Sequence, residues 1–369
     1  MAKTAQLLYA CPETDADLLY LSQFFAPDPF IWWRVNGVRH AVLSPLEIDR
    51  GRAAAGIDQV HEPEEFLPKS TRQKSPDAVI AGIKRAQGIT RFEVPATTPA
   101  GLIEALRRRK VAVSVKKGSF CPEREIKTAE EVKLIMAAQR KGEAGLRRGL
   151  EVLKQSAIKP NGVLFWQGRR LTSEILRGEM DAEVVRRGGL PANTIVAGGN
   201  QACDPHERGH GPLRAHETII LDIFPRDQGS GYHGDLTRTV VRGRASDAAR
   251  NLYATVAEGK RWALSQMKAG ADGKKIHREL VKRFERKGWK TEQRDGRWVG
   301  FFHGTGHSLG LEVHEPPRFS AGKFKAGHIQ TVEPGLYYPG IGAVRLEDLV
   351  VVTKTGVSNL TKMAQRLEI

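Results

Sequence analysis

Residues 1–120 alternate between two hydrophobic periods. Asp15–Phe25, Pro45–Ala55, Asp77–Gln87 and Leu102–Arg108 read as helices, whereas Phe30–Val35, His40–Leu43, Arg91–Val94 and Val111–Val115 read as strands. This alternation predicts an α/β layer structure. Trp32, Trp33 and the aromatics at Phe24–Phe30 fit core or dimer contacts better than a cofactor box. Lys117–Thr128, with Pro122 and charged neighbours, reads as a linker and places the boundary between domains 1–122 and 123–369.

Beyond the linker, Thr128-Ala129-Glu130-Glu131 has the spacing of a capping box. The helix it opens carries Val132, Ile135, Leu146, Leu150 and Leu153 at broadly helical spacing, although Gly142, Gly145 and Gly149 weaken that pattern. Further helices are predicted over Thr172–Arg186, Ser246–Met267 and Lys274–Lys287, with strand pairs after the second and fourth helices of this domain. Leu309–His314 alternates apolar and polar residues as a strand does. An unbroken strand would put His307 and His314 on opposite faces, whereas a break near Gly310 brings them together.

The length of 369 residues calls for two domains. No apolar run reaches membrane-spanning length, and Met1–Ala10 makes a poor signal peptide. Cys11, Cys121 and Cys203 are too scattered for a disulfide framework, so a reducing cytoplasm is the expected location. The net charge of +16 raises nucleic acid as a partner. The basic clusters at 107–110, 116–117, 186–187 and 282–287 are dispersed without an aromatic platform, and a solvated basic surface is the better reading.

Candidate chemistry concentrates in His303-Gly304-Thr305-Gly306-His307-Ser308-Leu309-Gly310-Leu311-Glu312-Val313-His314-Glu315. Alone, this segment reads equally as a glycine-rich turn with solvated histidines. Four acids change the picture: Asp222, Asp235, Glu333 and Glu347 each sit in a β-type apolar run, where acids are depleted and seldom buried unpaired. With one neutral imidazole they carry about four negative charges, which suits two divalent cations rather than one. Oxygen-rich ligation favours manganese, magnesium or calcium, and the imidazole admits zinc or cobalt. Arg345, two residues before Glu347, is placed to brace a ligating carboxylate. Three decoys are set aside. His206-Glu207-Arg208-Gly209-His210 has the zinc-protease pattern but glycine and proline where a helix is needed. Cys203 with His206 suggests a thiol nucleophile but leaves the acids unexplained. Gly304-Thr305-Gly306 lacks the setting of a dinucleotide loop.

These residues resemble the Xaa-Pro peptidase branch of the pita-bread metallopeptidases, which also include methionine aminopeptidase and creatinase. The family's ligand order Asp, Asp, His, Glu, Glu matches Asp222, Asp235, His307, Glu333 and Glu347, and its His-Gly-x-Gly-His-x-Leu-Gly-Leu-x-Val-His-acid signature is met over 303–315. Asp222 and Asp235 are thirteen apart, wider than in many members, with the extra residues assigned to the loop within Pro225–Gly231. The resemblance implies a creatinase-like α/β N-terminal domain followed by an α+β pita-bread catalytic domain with pseudo-two-fold helix–strand halves. It implies two divalent metal ions, manganese first and cobalt or zinc as alternatives, and a homodimer. It implies a peptide substrate with proline at the second position, cleaved either as a dipeptide or as a longer Xaa-Pro peptide. Catalytic roles fall on His206, His314, Glu333 and Arg345, and substrate binding on His206, His303, His314 and Tyr337. His210 is the fallback for His206, and Arg318 or Lys323 could recognise a dipeptide carboxylate. The rival readings are a non-catalytic pita-bread binding protein with a basic nucleic-acid or protein-binding surface and, behind it, a creatinase-like hydrolase of a small non-peptide.

Overall fold

The computed structural model of the chain describes residues 3–69 and 74–369. It comprises two compact units, Met1–Pro122 and Glu123–Ile369. In the first, β1 (Thr4–Ala10), β2 (Phe30–Val35), β3 (Val38–Val42), β4 (Gln59–His61), β5 (Arg91–Val94) and β6 (Ala112–Val115) form a sheet in the order β4-β3-β2-β1-β5-β6. β2 runs antiparallel to β1 and β3, while the outer pairs are parallel. β1 escapes the sequence reading because Leu7 and Leu8 are both apolar. The sheet is covered on both faces, so a central strand need not alternate.

Leu7 and Trp33 enter the core with α3 (Pro76–Gln87) and α4 (Ala100–Arg108), whereas Leu8 and Trp32 face α1 (Ala16–Ser22) and α2 (Ile48–Arg52). Both tryptophans are fully buried, which makes them core residues. The first two helices are shorter than predicted; α1 stops where Gln23 turns to a left-handed φ of 49°.

The second unit opens with α5 (Ala129–Gln155), and its cap is reciprocal: Thr128 Oγ1 accepts from Glu131 N, and Glu131 Oε2 accepts from Thr128 N. The glycines do not interrupt it. A Cβ on Gly145 would come within 2.8 Å of Ile223 on one side and of Val184, in α6 (Ser173–Arg186), on the other. Glycine therefore marks the closest approach of α5 to its neighbours. Gly145→Ala gains about 1 kcal/mol of helix propensity but overpacks this contact at about 1–3 kcal/mol. We expect a net loss of stability, read as a lower midpoint in urea.

Counting only the principal strands, the first half continues with β7 (Ile195–Gly198), β8 (Thr218–Ile223) and β9 (Leu236–Val241), an antiparallel sheet in that order. The second half has α7 (Asp247–Gln266) and α8 (Gly273–Arg286), then β10 (Ile329–Val332), β11 (Gly335–Tyr338), β12 (Gly342–Arg345), β13 (Asp348–Val352) and β14 (Val357–Asn359). β10, β13 and β14 form a sheet ordered β10-β13-β14, and β11 pairs with β12. Each half buries its own apolar core, around Leu146, Leu176 and Leu221 in the first and Leu252, Leu280 and Leu336 in the second. The duplicated helix–strand arrangement is the pita-bread architecture.

Threonine side chains stitch the halves. Thr218 Oγ1 accepts from Ala343 N at 3.1 Å, and Thr239 Oγ1 accepts from Arg345 N at 3.0 Å and donates to Arg345 O at 2.9 Å. Among the described residues, no helix is long and apolar enough to cross a membrane.

Candidate metal centre

The β8–β9 register places Asp222 opposite Thr237. Cross-strand partners share a face, and so do residues two apart, so Asp222, Thr237 and Asp235 emerge on one side of the sheet. The intervening loop closes on itself through Gly234 N to Pro225 O at 3.0 Å and Gly231 N to Asp227 O at 2.9 Å. Its extra residues leave the register of the strands undisturbed.

Glu347 lies in the two-residue break between β12 and β13. Its backbone N donates to Thr237 O at 3.1 Å, and its Oε2 accepts from Thr237 Oγ1 at 2.8 Å. Glu333 directly follows β10; its Oε1 accepts from Thr331 Oγ1 at 3.1 Å, and its N donates to Thr305 O at 2.8 Å. The glycine-rich segment is tied to β10, with His307 N donating to Thr331 Oγ1 at 3.0 Å and Thr331 N to His307 O at 2.7 Å.

Leu309–His314 is not the predicted strand. Ser308 and Glu315 form an isolated antiparallel bridge, and Gly310 N donates to Glu312 O at 3.0 Å inside the resulting loop. This bend brings His307 and His314 edge to face, with ring centroids 4.2 Å apart. A Cβ on Gly310 would strike Glu315 Oε1 at 2.3 Å, so the alternation reflects a loop packed against its own acid. Lys127 and Arg124 hold that acid in turn.

His307 Nδ1 faces Ser308 O at 3.2 Å and must carry the proton there, since a carbonyl only accepts. The lone pair on Nε2 is left aimed at Glu333 Oε1, 3.3 Å away, and Asp235 Oδ2, 3.6 Å away. Donor atoms of Asp235, His307 and Glu347 all lie within 4.8 Å of one another. Asp222 directs Oδ2 to Arg345, while its buried Oδ1 meets no hydrogen-bond donor.

Burial, and then the neighbouring carboxylates, push Asp235 and Glu347 well above the usual carboxylate range. Burial, with Asp222 beside it and Arg345 opposing, brings Glu333 up to about 7. Two like charges 4 Å apart repel by about 4 kcal/mol at an effective dielectric of 20, so the cluster is not stable fully ionised on its own. A divalent cation satisfies the orphaned oxygen and the repulsion together. The donor set of acids plus one neutral imidazole fits such ions.

Arg345 bonds Asp222 Oδ2 through Nη2 at 2.7 Å and gives Nη1 to Tyr337 OH at 3.1 Å and to Pro205 O at 3.2 Å. The carboxylate it braces is therefore Asp222, because β12 ends at Arg345 and the chain turns before Glu347. Tyr337 is fully buried and donates to His303 Nε2 at 2.8 Å, while His303 Nδ1 donates to Gly304 O at 2.8 Å. Burial and Arg345 lower His303 to about 3, and burial raises Tyr337 to about 12. Both are neutral near pH 7. Burial and His307 also lower His314.

His206 is exposed, next to the Pro205 carbonyl that Arg345 holds. His210 instead pairs loosely with Glu207 at 3.7 Å. Residues 206–210 form no helix, which removes the zinc-protease decoy. Burial raises the Cys203 thiol to about 11, so it is protonated and unsuited to nucleophilic attack.

Sequence reasoning missed Gln139. Fully buried in α5, it accepts from Asp235 N at 2.7 Å and donates to Asp235 O at 3.0 Å, clamping that backbone. Its one signal is an amide inside the apolar face between Ile135 and Leu146.

The model of metallopeptidase family M24 matches residues 133–354, more than half of the chain. An Xaa-Pro dipeptidase of Pyrococcus furiosus is 33% identical over 189 residues, which cover 47% of this chain and 49% of that protein. An Xaa-Pro dipeptidase of Pyrococcus horikoshii is 28% identical over 310 residues, 77% of this chain and 76% of that one. The alignments thus span about half of the first relative and three quarters of the second. The crystal structure of an X-Pro aminopeptidase from Thermotoga maritima superposes with a TM-score of 0.83 at 21% identity, covering 100% of this chain and 98% of that one, and shares the fold. Because the matched span runs from within α5 to just past β13 and encloses the five converging side chains, the chain belongs to metallopeptidase family M24.

Proposed function

We propose that this protein is a dinuclear-metal exopeptidase that hydrolyses the peptide bond between an N-terminal residue and a following proline. The observation that carries this reading is the cluster of Asp235, His307 and Glu347 donor atoms, with Glu333 Oε1 beside His307 and a buried Asp222 oxygen that meets no hydrogen-bond donor. Those five residues would hold two divalent ions, manganese first and cobalt or zinc as alternatives. When bound, the ions supply a water activated near neutral pH and polarise the scissile carbonyl.

Glu333 takes the proton released from that water at a carboxylate oxygen, its Oε1 standing 3.3 Å from His307 Nε2 inside the ligand cluster. His314, neutral and held against His307, donates a ring N–H to the oxyanion as it develops. His206 orients the substrate. His303 and Tyr337 flank the scissile bond and, through Arg345, fix Asp222.

The preference for proline is supported by the relatives named Xaa-Pro dipeptidase. Arg318 and Lys323 line a cavity of about 380 Å³, and the charge of Arg318 reaches His314. That placement suits recognition of a dipeptide carboxylate. We place the protein in the cytoplasm as a homodimer with a solvated basic surface; its three free cysteines fit a reducing compartment.

The test is turnover of Xaa-Pro dipeptides and Xaa-Pro-Yaa tripeptides with Mn²⁺. We expect cleavage of at least the dipeptide, with Arg318→Ala raising KM for the dipeptide more than for the tripeptide. Cleavage of neither substrate overturns the reading and favours a non-catalytic binding protein.

A further inference from the structure

Thr237 and Arg238 are neighbours on β9, and Glu347 and Asp348 are neighbours where β13 begins. Thr237 and Glu347 meet on the metal side at 2.8 Å. Alternation sends Arg238 and Asp348 to the opposite side. There Arg238 Nη2 donates to Asp348 Oδ1 at 2.9 Å, and Lys260 Nζ, from α7, donates to Asp348 Oδ2 at 2.6 Å. Asn359 Nδ2 adds a bond to Oδ2 at 3.1 Å. Arg238 Nη1 also donates to the carbonyls of Thr237 and Glu347, so one guanidinium grips both strands behind the ligand. Lys260, Arg238 and Asp348 are 1%, 2% and 4% exposed. Buried ion groups of this kind are seldom more stabilising than apolar side chains of the same shape. Stability alone is therefore a poor account of three charges at this position.

We propose that Lys260, Asp348 and Arg238 are positioning residues of the metal centre, a buried charge triad that keeps the Glu347 backbone against Thr237 so that its carboxylate faces the ions. The inference rests on the metal-loaded reading above. None of the three touches reacting atoms; they act through Glu347. Asp348 orients the guanidinium that holds the Glu347 carbonyl. Lys260 balances Asp348, which otherwise adds a negative charge one residue from a site already crowded with carboxylates.

The test compares the parent with Lys260→Met and Asp348→Asn, both of which keep side-chain volume. Chelated protein is titrated calorimetrically with Mn²⁺, and kcat and KM for an Xaa-Pro dipeptide are measured at saturating Mn²⁺. We expect the Mn²⁺ dissociation constant to rise roughly 10- to 100-fold, with KM unchanged, while the chelated variants melt below the parent because each loses one partner of a buried ion group. Parent-like Mn²⁺ affinity in both variants overturns the proposal while leaving the metal reading intact. A parent that binds no Mn²⁺ overturns both. Should Lys260→Met fail to fold, Asp348→Asn decides, and failure of both to fold overturns the proposal in favour of a purely structural triad.

Discussion

Asp235→Ala is expected to abolish Xaa-Pro hydrolysis, by on the order of a thousandfold or more, in a protein that stays folded. Metal ions supply several kcal/mol of transition-state stabilisation, and about 4 kcal/mol corresponds to that factor. Asp235 faces both His307 and Glu347 across distances a cation spans, so its loss removes a ligand from the middle of the set. The fold survives because the methyl group relieves repulsion among buried acids. The check is kcat/KM with Mn²⁺ alongside melting curves with and without chelator.

Metal at a hundred times its dissociation constant stabilises the parent by about 2.7 kcal/mol, or roughly 5–10 °C for a unit of this size. The variant shows little of that gain. Chelated parent protein carries a second signature. Glu333 is raised from 4.5 to about 7 by burial, and Asp235 and Glu347 are raised with it. The folded state therefore binds protons more tightly than the unfolded chain. The stabilising contribution of Glu333 is complete below about pH 4.5 and is lost as pH rises through 7, and Asp235 and Glu347 act in the same direction. Between pH 5 and 8 the chelated parent loses stability, and saturating metal suppresses the trend. Full activity in Asp235→Ala would sink the metal assignment, and a pH-independent chelated melt would contradict the clustering of the acids.

Arg345→Met is expected to destabilise the catalytic unit by about 3–5 kcal/mol, the usual result of removing one partner from a buried pair. Arg345 is the cation that Asp222 Oδ2 meets directly, and it also holds Tyr337 OH and the Pro205 carbonyl. Arg345→Lys does not restore the parent, because one ammonium cannot reproduce a planar fork aimed at separate acceptors. Urea denaturation of chelated protein isolates this effect from metal binding. A loss under about 1 kcal/mol would show that Asp222 is paired by something other than this guanidinium.

Much of the site was readable along the chain because it consists of residues that physics forbids in ordinary strands. Asp222 and Glu333 interrupt or end apolar runs, and unpaired acids do not remain in such places. The helices of the second unit were legible from period and from the Thr128–Glu131 cap. Gly142, Gly145 and Gly149 looked like flaws because a helix pattern says nothing about how near its neighbour lies. The supposed strand at 309–314 failed for a related reason: alternation records which side chains are buried, and Leu309 and Leu311 are buried beneath a loop.

The sequence by itself determined the chemical inventory: which acids and imidazoles demand a counter-charge, where helices begin, and which family the signature over 303–315 resembles. Tertiary structure alone decided the pairings. Arg345 braces Asp222 rather than its near neighbour Glu347, and Gln139 clamps Asp235 from 96 positions away. Local pattern encodes solubility and backbone preference residue by residue. Contacts between distant segments depend on strand register and on the closeness of α5 to the sheet, quantities that exist only once the whole core has packed.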